Sequence, residues 1–184
     1  MIAGVVLAAG SGSRMGQPKG ELVLDGTRLV DRAAAVLRAG GCDPVLAVVR
    51  PGVVAPGGVV NPDPARGLRS SLELGLGAVA DAAGDVIAVA VLLADLPGVP
   101  ADAVQGVLAA WRPGRITVAA YAGVRGHPIV MEPGLWREAI ALAGPDEGAR
   151  ALQRAHPELV DEVAVAGDPT DLDTPADLRR WLDG

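Results

Sequence analysis

Residues 7–19 read Leu-Ala-Ala-Gly-Ser-Gly-Ser-Arg-Met-Gly-Gln-Pro-Lys, a stretch of small residues followed by two cations. Where side chains are small, successive backbone N–H groups can close on an anion as large as a triphosphate. Leu7, Ala8, Ala9, Gly10, Ser11, Gly12 and Ser13 are therefore candidate nucleotide-binding positions. Arg14 adds a planar fork of donors and Lys19 a compact point charge, both suited to phosphate. Two other phosphate loops fail on counting. A dinucleotide fingerprint beginning at Gly10 needs glycine where Met15 stands, and a Walker A loop needs Gly-Lys-Ser/Thr where the chain has Pro18-Lys19-Gly20. A glycine turn that binds nothing is the remaining alternative, and the nearby cations argue against it.

Carboxylates supply the complementary chemistry. Asp95 follows the most apolar run of the chain, Asp85 to Leu93, by two residues. A carboxylate at the mouth of a buried strand is costly to desolvate unless it meets a cation, and a magnesium ion bridging phosphate oxygens is the natural partner. A turn or helix-capping role is the competing reading. A second acidic cluster, Asp168, Asp171 and Asp173, precedes Thr174-Pro175, and part of it is explained by Thr174 capping a helix that starts with Pro175. Between Asn61 and Leu72 a turn meets a helix N-terminus, where unpaired N–H groups could face a ligand. Ser70 and Ser71 satisfying only local backbone is the alternative there. At His127 a neutral imidazole could hydrogen-bond a carbonyl or phosphate, or simply sit in a turn.

The elements that must position these residues alternate almost throughout. Ile2–Leu7, Pro44–Val49, Gly58–Asn61, Asp85–Leu93, Arg115–Tyr121, His127–Met131 and Leu159–Val165 read as strands. Helical patterns cover Asp31–Ala39, Arg66–Ala80, Ala101–Trp111, Leu135–Leu142, Asp146–Ala155 and Pro175–Leu182. Such alternation predicts an α/β fold, with a mostly parallel sheet between helices and a hairpin-like antiparallel element near residues 115–131. Ligands of an open parallel sheet bind beyond the carboxyl ends of its strands, which is where the glycine loop and Asp95 fall.

Composition narrows the classes. A chain of 184 residues, half of them hydrophobic, is expected to be one domain over 1–184 with a core of Ala, Val and Leu, since it has no Phe. The net charge of -6 and the scarcity of aromatics speak against nucleic acid and anionic membranes as partners. A single cysteine, Cys42, fits a reducing cytoplasm. There is no run of about twenty apolar residues of the kind that spans a bilayer, and Met1–Leu7 lacks a basic flank, so a first strand is expected rather than a signal peptide.

The motif at 7–19 resembles, in the form LAAGxxxRMGxPK, the signature of the MobA-like nucleotidyltransferase family, in the group that includes molybdenum cofactor cytidylyltransferases. The resemblance continues in Asp95-Leu96-Pro97, in Gly67, Ser71 and Leu72, in Gly126-His127-Pro128, in Gly148-Ala149-Arg150 and in the Asp171 to Leu178 ending. It implies a Rossmann-like three-layer α/β/α nucleotidyltransferase fold. It implies transfer of a nucleotidyl group from a nucleoside triphosphate to a phosphorylated acceptor, with Arg14, Lys19 and Asp95 catalytic. Asp95 and Asp173 are the implied metal ligands, with Asp171 as the alternative to Asp173, and Mg2+ is the implied cofactor. Gly67 and Ser71 are expected near the base, and His127 and Arg150 on the acceptor side, though Arg150 reads equally well as an exposed helix residue. The Ala9 and Pro18 variants lean toward CTP and molybdopterin cofactor, with a protein that receives the finished cofactor as a further partner. A guanylyltransferase of the same family, a sugar-phosphate nucleotidyltransferase and a non-catalytic nucleotide-binding protein are the alternatives. An NAD-dependent dehydrogenase is disfavoured by the failed fingerprint and by Val49-Arg50, where an acidic residue would end the second strand.

Overall fold

The computed structural model describes every residue except Ala83 and Gly184. Strand β1 (Ile2–Leu7) is followed by the glycine loop, a single 3-10 turn at Lys19–Glu21 and a two-stranded ribbon of β2 (Val23–Leu24) and β3 (Thr27–Arg28). Helix α1 (Leu29–Ala39) leads to β4 (Val45–Val49) and β5 (Gly58–Val60), and α2 (Leu68–Ala82) to β6 (Ala88–Leu93). Then come α3 (Ala101–Ala110), β7 (Ile116–Tyr121), β8 (Val124–Met131), α4 (Pro133–Leu142) and α5 (Arg150–Ala155). The described chain closes with β9 (Val160–Val165) and α6 (Pro175–Asp183).

Seven strands form one sheet in the order β5-β4-β1-β6-β8-β7-β9, with β6 at its centre. All neighbours are parallel except β8, which runs antiparallel to both β6 and β7. The strands are apolar on both faces because helices cover both. Alternate residues of one strand therefore enter different cores: Val5 and Leu7 face α2, α4 and α5, whereas Val6 faces α1 and α3. Gly75 permits the close approach of α2 to the sheet, since a Cβ there would lie 2.7 Å from Val5 Cγ1. A third, smaller cluster of Leu22, Leu24, Leu29 and Leu172 packs α6 against the β2–β3 ribbon.

The expected α/β class, the central strand and the antiparallel departure are all present. The β2–β3 ribbon is an addition to the sequence reading. Its Asp25-Gly26 turn, with φ of 52° and 77°, carries the Asp-Gly signature of a tight hairpin, which was the available signal. The helix expected over 146–155 begins only at Arg150, because Glu147 and Gly148 belong to a turn in which Gly148 takes a φ of 52°. Helix α2 begins at Leu68, two residues later than expected, after a separate 3-10 turn at Pro64–Arg66. Strand β8 reaches back to Val124, so the hairpin with β7 closes on only two residues, Ala122 and Gly123.

Both turn residues have positive φ, 49° at Ala122 and 83° at Gly123. This left-handed conformation costs a side chain with Cβ about 1–2 kcal/mol, and asparagine tolerates it better than alanine. Ala122→Asn should therefore raise the urea midpoint, by roughly 0.5–1 kcal/mol of stability. An unchanged or lower midpoint would show that the turn is not strained at this position.

Candidate active site

Strands β1, β4 and β6 end side by side, and the loops that leave them surround a cleft of about 690 Å³. That is within the range of pockets that take small-molecule ligands. One wall is the glycine loop from Leu7 to Arg14, and Lys19 and Asp95 stand at its mouth with Asp173. The cleft is also lined by Asp63, Pro64, Ala65, Gly67, Leu68, Ser71 and Asp146.

The loop's path rests on Gly12, whose φ is 59°. A Cβ on it would fall 1.9 Å from the carbonyl oxygen of Gln17. The chain turns back at this point, where Met15 N–H donates to the Gly12 carbonyl at 2.8 Å. Behind the loop Gly20 packs on Ala8, and Leu22 N–H closes the 3-10 turn on the Lys19 carbonyl at 3.1 Å. Lys19 is thereby aimed at the end of β6.

There the Lys19 ammonium donates to Asp95 Oδ2 at 2.7 Å and to Asp173 Oδ1. Arg14 Nη1 lies 3.7 Å from the other oxygen of Asp173, with its side chain largely exposed. Burial opposes the charge on Lys19, but hydrogen bonds and charge pairing with Asp173 and Asp95 outweigh it and raise its pKa. The hydrogen bond from Lys19 holds the Asp173 carboxyl below its ordinary value. Asp171 is pushed the other way by desolvation and by the neighbouring charge of Asp173. Asp95, Asp171 and Asp173 each offer a carboxylate oxygen, all within 4.8 Å of one another. Hard oxygen donors this close suit a small divalent cation, and an ammonium already bridges two of them. The residues fit such an ion.

The structure also separates capping from site chemistry in the last acidic segment. Thr174 caps α6: Asp177 N–H donates to Thr174 Oγ1 at 3.3 Å, and Asp177 Oδ2 accepts from Thr174 N–H at 2.7 Å. Asp173 is left free to face Lys19.

Other expected residues are arranged differently. The first N–H groups of α2 are not open to a ligand. Leu68 N–H donates to Asp146 Oδ1 at 3.3 Å and Arg69 N–H to the Pro145 carbonyl at 2.9 Å, so the α4–α5 connection already caps this helix. Ser71 lines the cleft, but its hydroxyl accepts from the buried Asn61 amide at 3.0 Å. His127 and Arg150 do not line the cleft. Pairing of Val91 with Ile129 carries β8 on past the end of β6, so that His127 lies beside the strand that leads to Asp95. Loss of water around the His127 ring, with the Arg150 guanidinium nearby, pushes its pKa down to about 4.

Arg50 and Asp146 were not singled out as site residues from sequence. Arg50 directly follows β4 and its guanidinium donates to the Ser11 carbonyl at 3.5 Å. The signal was available, because β4 is the strand next to β1 and its carboxyl end must border the loop. Asp146 had no such signal: its place depends on how α4 and α5 fold back onto α2.

Residues 4–163 match the family of the MobA-like NTP transferase domain. The nicotine blue oxidoreductase of Paenarthrobacter nicotinovorans is 35% identical to this chain, over 98% of it and 96% of its own length. The crystal structure of Rv0371c from Mycobacterium tuberculosis H37Rv superposes with a TM-score of 0.83 at 28% identity, covering 100% of this chain and 98% of that one. A complex of Rv0371c with manganese gives 0.79 at 28% identity over 100% and 98% of the two chains.

Two outcomes test this geometry. Gly12→Ala should leave the circular dichroism spectrum unchanged and abolish binding of nucleoside triphosphate in a titration, because the loop cannot keep its path. Full affinity in that variant would disprove the contact. Second, with a folded pKa of about 4 against an ordinary 6.5, His127 binds more protons in the unfolded chain between those values. Its contribution to stability is therefore present above pH 6.5 and is lost as pH falls toward 4. The slope of stability against pH over this window should flatten in His127→Gln, as read from urea midpoints.

Proposed function

We propose, for a chain that belongs to the MobA-like NTP transferase family, that it transfers the nucleotidyl group of a nucleoside triphosphate to a phosphorylated acceptor. The donor we propose is CTP and the acceptor molybdopterin cofactor, with pyrophosphate released. Both follow the resemblance of the loop, with Ala9 and Pro18, to the cytidylyltransferase group. The observation that carries the reading is the meeting of Lys19, Asp95 and Asp173 at the mouth of the glycine-lined cleft.

An oxygen of the acceptor phosphate attacks the α-phosphorus in line. A new P–O bond forms as the bond to the β-phosphate oxygen breaks, and the electron pair departs with pyrophosphate. No covalent enzyme intermediate is required, so the chain's work is positioning and charge neutralisation. Backbone N–H groups of residues 10–13 cradle the β- and γ-phosphates. Arg14 and Arg50 face the same negative charge from the two rims of the loop. Lys19 leaves the carboxylates and moves to the α-phosphate as the triphosphate enters. Asp95 and Asp173, with Asp171 beside them, would hold a divalent cation, for which we propose Mg2+, and it would neutralise charge between the α-phosphate and the acceptor.

Gly67 and Ser71 border the proposed base end of the cleft. His127 and Arg150, which do not line the cleft, are the proposed acceptor contacts by resemblance, His127 lying beside the strand that leads to Asp95. We take residues 1–184 as one catalytic domain acting in the cytoplasm. The free thiol of Cys42 fits that setting, and among the described residues no helix is long and apolar enough to cross a membrane. A protein that accepts the finished cofactor is the further partner proposed.

A second reading has a specific observation behind it, since the relative at 35% identity is called an oxidoreductase. One fold can host both chemistries, so the experiment must separate them. Pyrophosphate release is measured with CTP, GTP, ATP and UTP in turn, with Mg2+ and a molybdopterin-type acceptor. NADH- and NADPH-dependent reduction of a quinonoid dye is measured in parallel. Release with CTP alone is the expected result. Release with GTP alone would move the assignment to guanylyl transfer, and dye reduction without pyrophosphate release would overturn the transferase reading. Lys19→Ala and Asp95→Ala should fold normally and lose about a hundred- to thousandfold in kcat, the effect of removing one preorganised contact. Near-full turnover in either variant would refute the assignment.

A further inference from the structure

The segment that joins β9 to α6 crosses the carboxyl end of the sheet carrying Asp171, Leu172 and Asp173. Successive side chains of an extended segment point to opposite sides, and the burial follows that alternation. Asp171 is exposed, Leu172 is 1% exposed and Asp173 is half-buried against Lys19. Leu172 enters the small cluster of Leu22, Leu24 and Leu29, against which Leu178 and Trp181 of α6 also pack. Its own N–H donates to the backbone carbonyl of Asp95 at 2.9 Å.

One leucine thus joins the two sides of the carboxylate pair. Its backbone is tied to the residue that ends the central strand region, and its side chain is locked into the ribbon that directly follows Lys19. Beside this tie the segment is held by polar contacts, from the Lys19 ammonium to Asp173 and from Asp168 N–H to the Gly98 carbonyl at 3.0 Å. No residue of α6 is buried, and the cluster is separate from the two cores that flank the sheet. The capping box at Thr174 fixes the start of α6 itself, but it does not link α6 to Asp95.

We propose that Leu172 is a positioning residue for the divalent-cation site: its burial against the β2–β3 ribbon holds Asp171 and Asp173 opposite Asp95. This rests on the reading that these carboxylates take a divalent cation, and it adds that their convergence is set by an apolar anchor rather than by the carboxylates themselves. Three carboxylates within 4.8 Å repel, and in the proposed reaction the Lys19 ammonium that now meets two of them turns to the triphosphate, so the anchor is what then keeps the segment in place.

The test is Mn2+ binding, followed by electron paramagnetic resonance on the whole chain, together with thermal unfolding. Wild type, Leu172→Ala, Leu172→Met and Leu152→Ala are compared. The last truncates a leucine with no exposed surface in the core beneath α2, α4 and α5. Leu172→Ala should weaken Mn2+ binding about ten- to a hundredfold, the usual effect of removing support behind metal ligands. Leu172→Met, which restores most of the volume, should recover affinity. Leu152→Ala should lower the unfolding temperature and leave the affinity of the folded protein unchanged. Should Leu172→Ala fail to fold, Leu172→Val should show the same direction with a smaller loss.

Wild-type affinity in Leu172→Ala or Leu172→Val, or an equal loss in Leu152→Ala, would overturn the positioning role while leaving the cation reading intact. Absence of Mn2+ binding in the wild type, or binding unaffected by Asp95→Asn, would overturn the cation reading and this inference with it.

Discussion

Carboxylates gathered at the end of an apolar strand repel one another, and a cation among them offsets that cost. Asp95 is delivered by the central strand, Asp171 and Asp173 by the segment before the last helix, and the ammonium that meets two of them by the loop after the first strand. These three stretches are far apart in the chain, and the fold brings them to one point. The cleft is the space left between them.

The sheet provides the rigidity that this arrangement needs. Strands β1 and β6 pair over their full lengths and are buried on both faces, so the ends that carry the loop and Asp95 share one register. Helices pack on both faces of the sheet beneath these ends. The elements that bring Lys19 and Asp173 are lighter: a single 3-10 turn, a four-residue ribbon and a helix without buried residues. Rigid and light parts meet across the cleft, with small leucine packing on the light side. That division suits a site that must admit a charged ligand and still hold its geometry.

The similarity to a relative called an oxidoreductase shows how little a fold alone says about chemistry. The cation-lined glycine loop and the converging carboxylates favour phosphate chemistry, because nothing in hydride transfer calls for paired carboxylates around a lysine. Nor does the loop keep the glycine spacing with which a dinucleotide pyrophosphate is usually held.

Much of this protein was legible without coordinates. Continuous apolar strands alternating with helical patterns dictate a parallel sheet between helices, and small residues with two cations after β1 mark the loop that lines the cleft, because these are local consequences of side-chain size, period and charge. What lay beyond local reading depends on residues distant in sequence. That Asp146 and the Pro145 carbonyl close the N-terminus of α2, and that His127 and Arg150 fall outside the cleft, follow from how separate helices and strands fold back on one another. So does the docking of Leu172, whose neighbours come from a ribbon near the other end of the chain. Spacing along a chain determines which face a residue occupies, and only packing decides what that face meets.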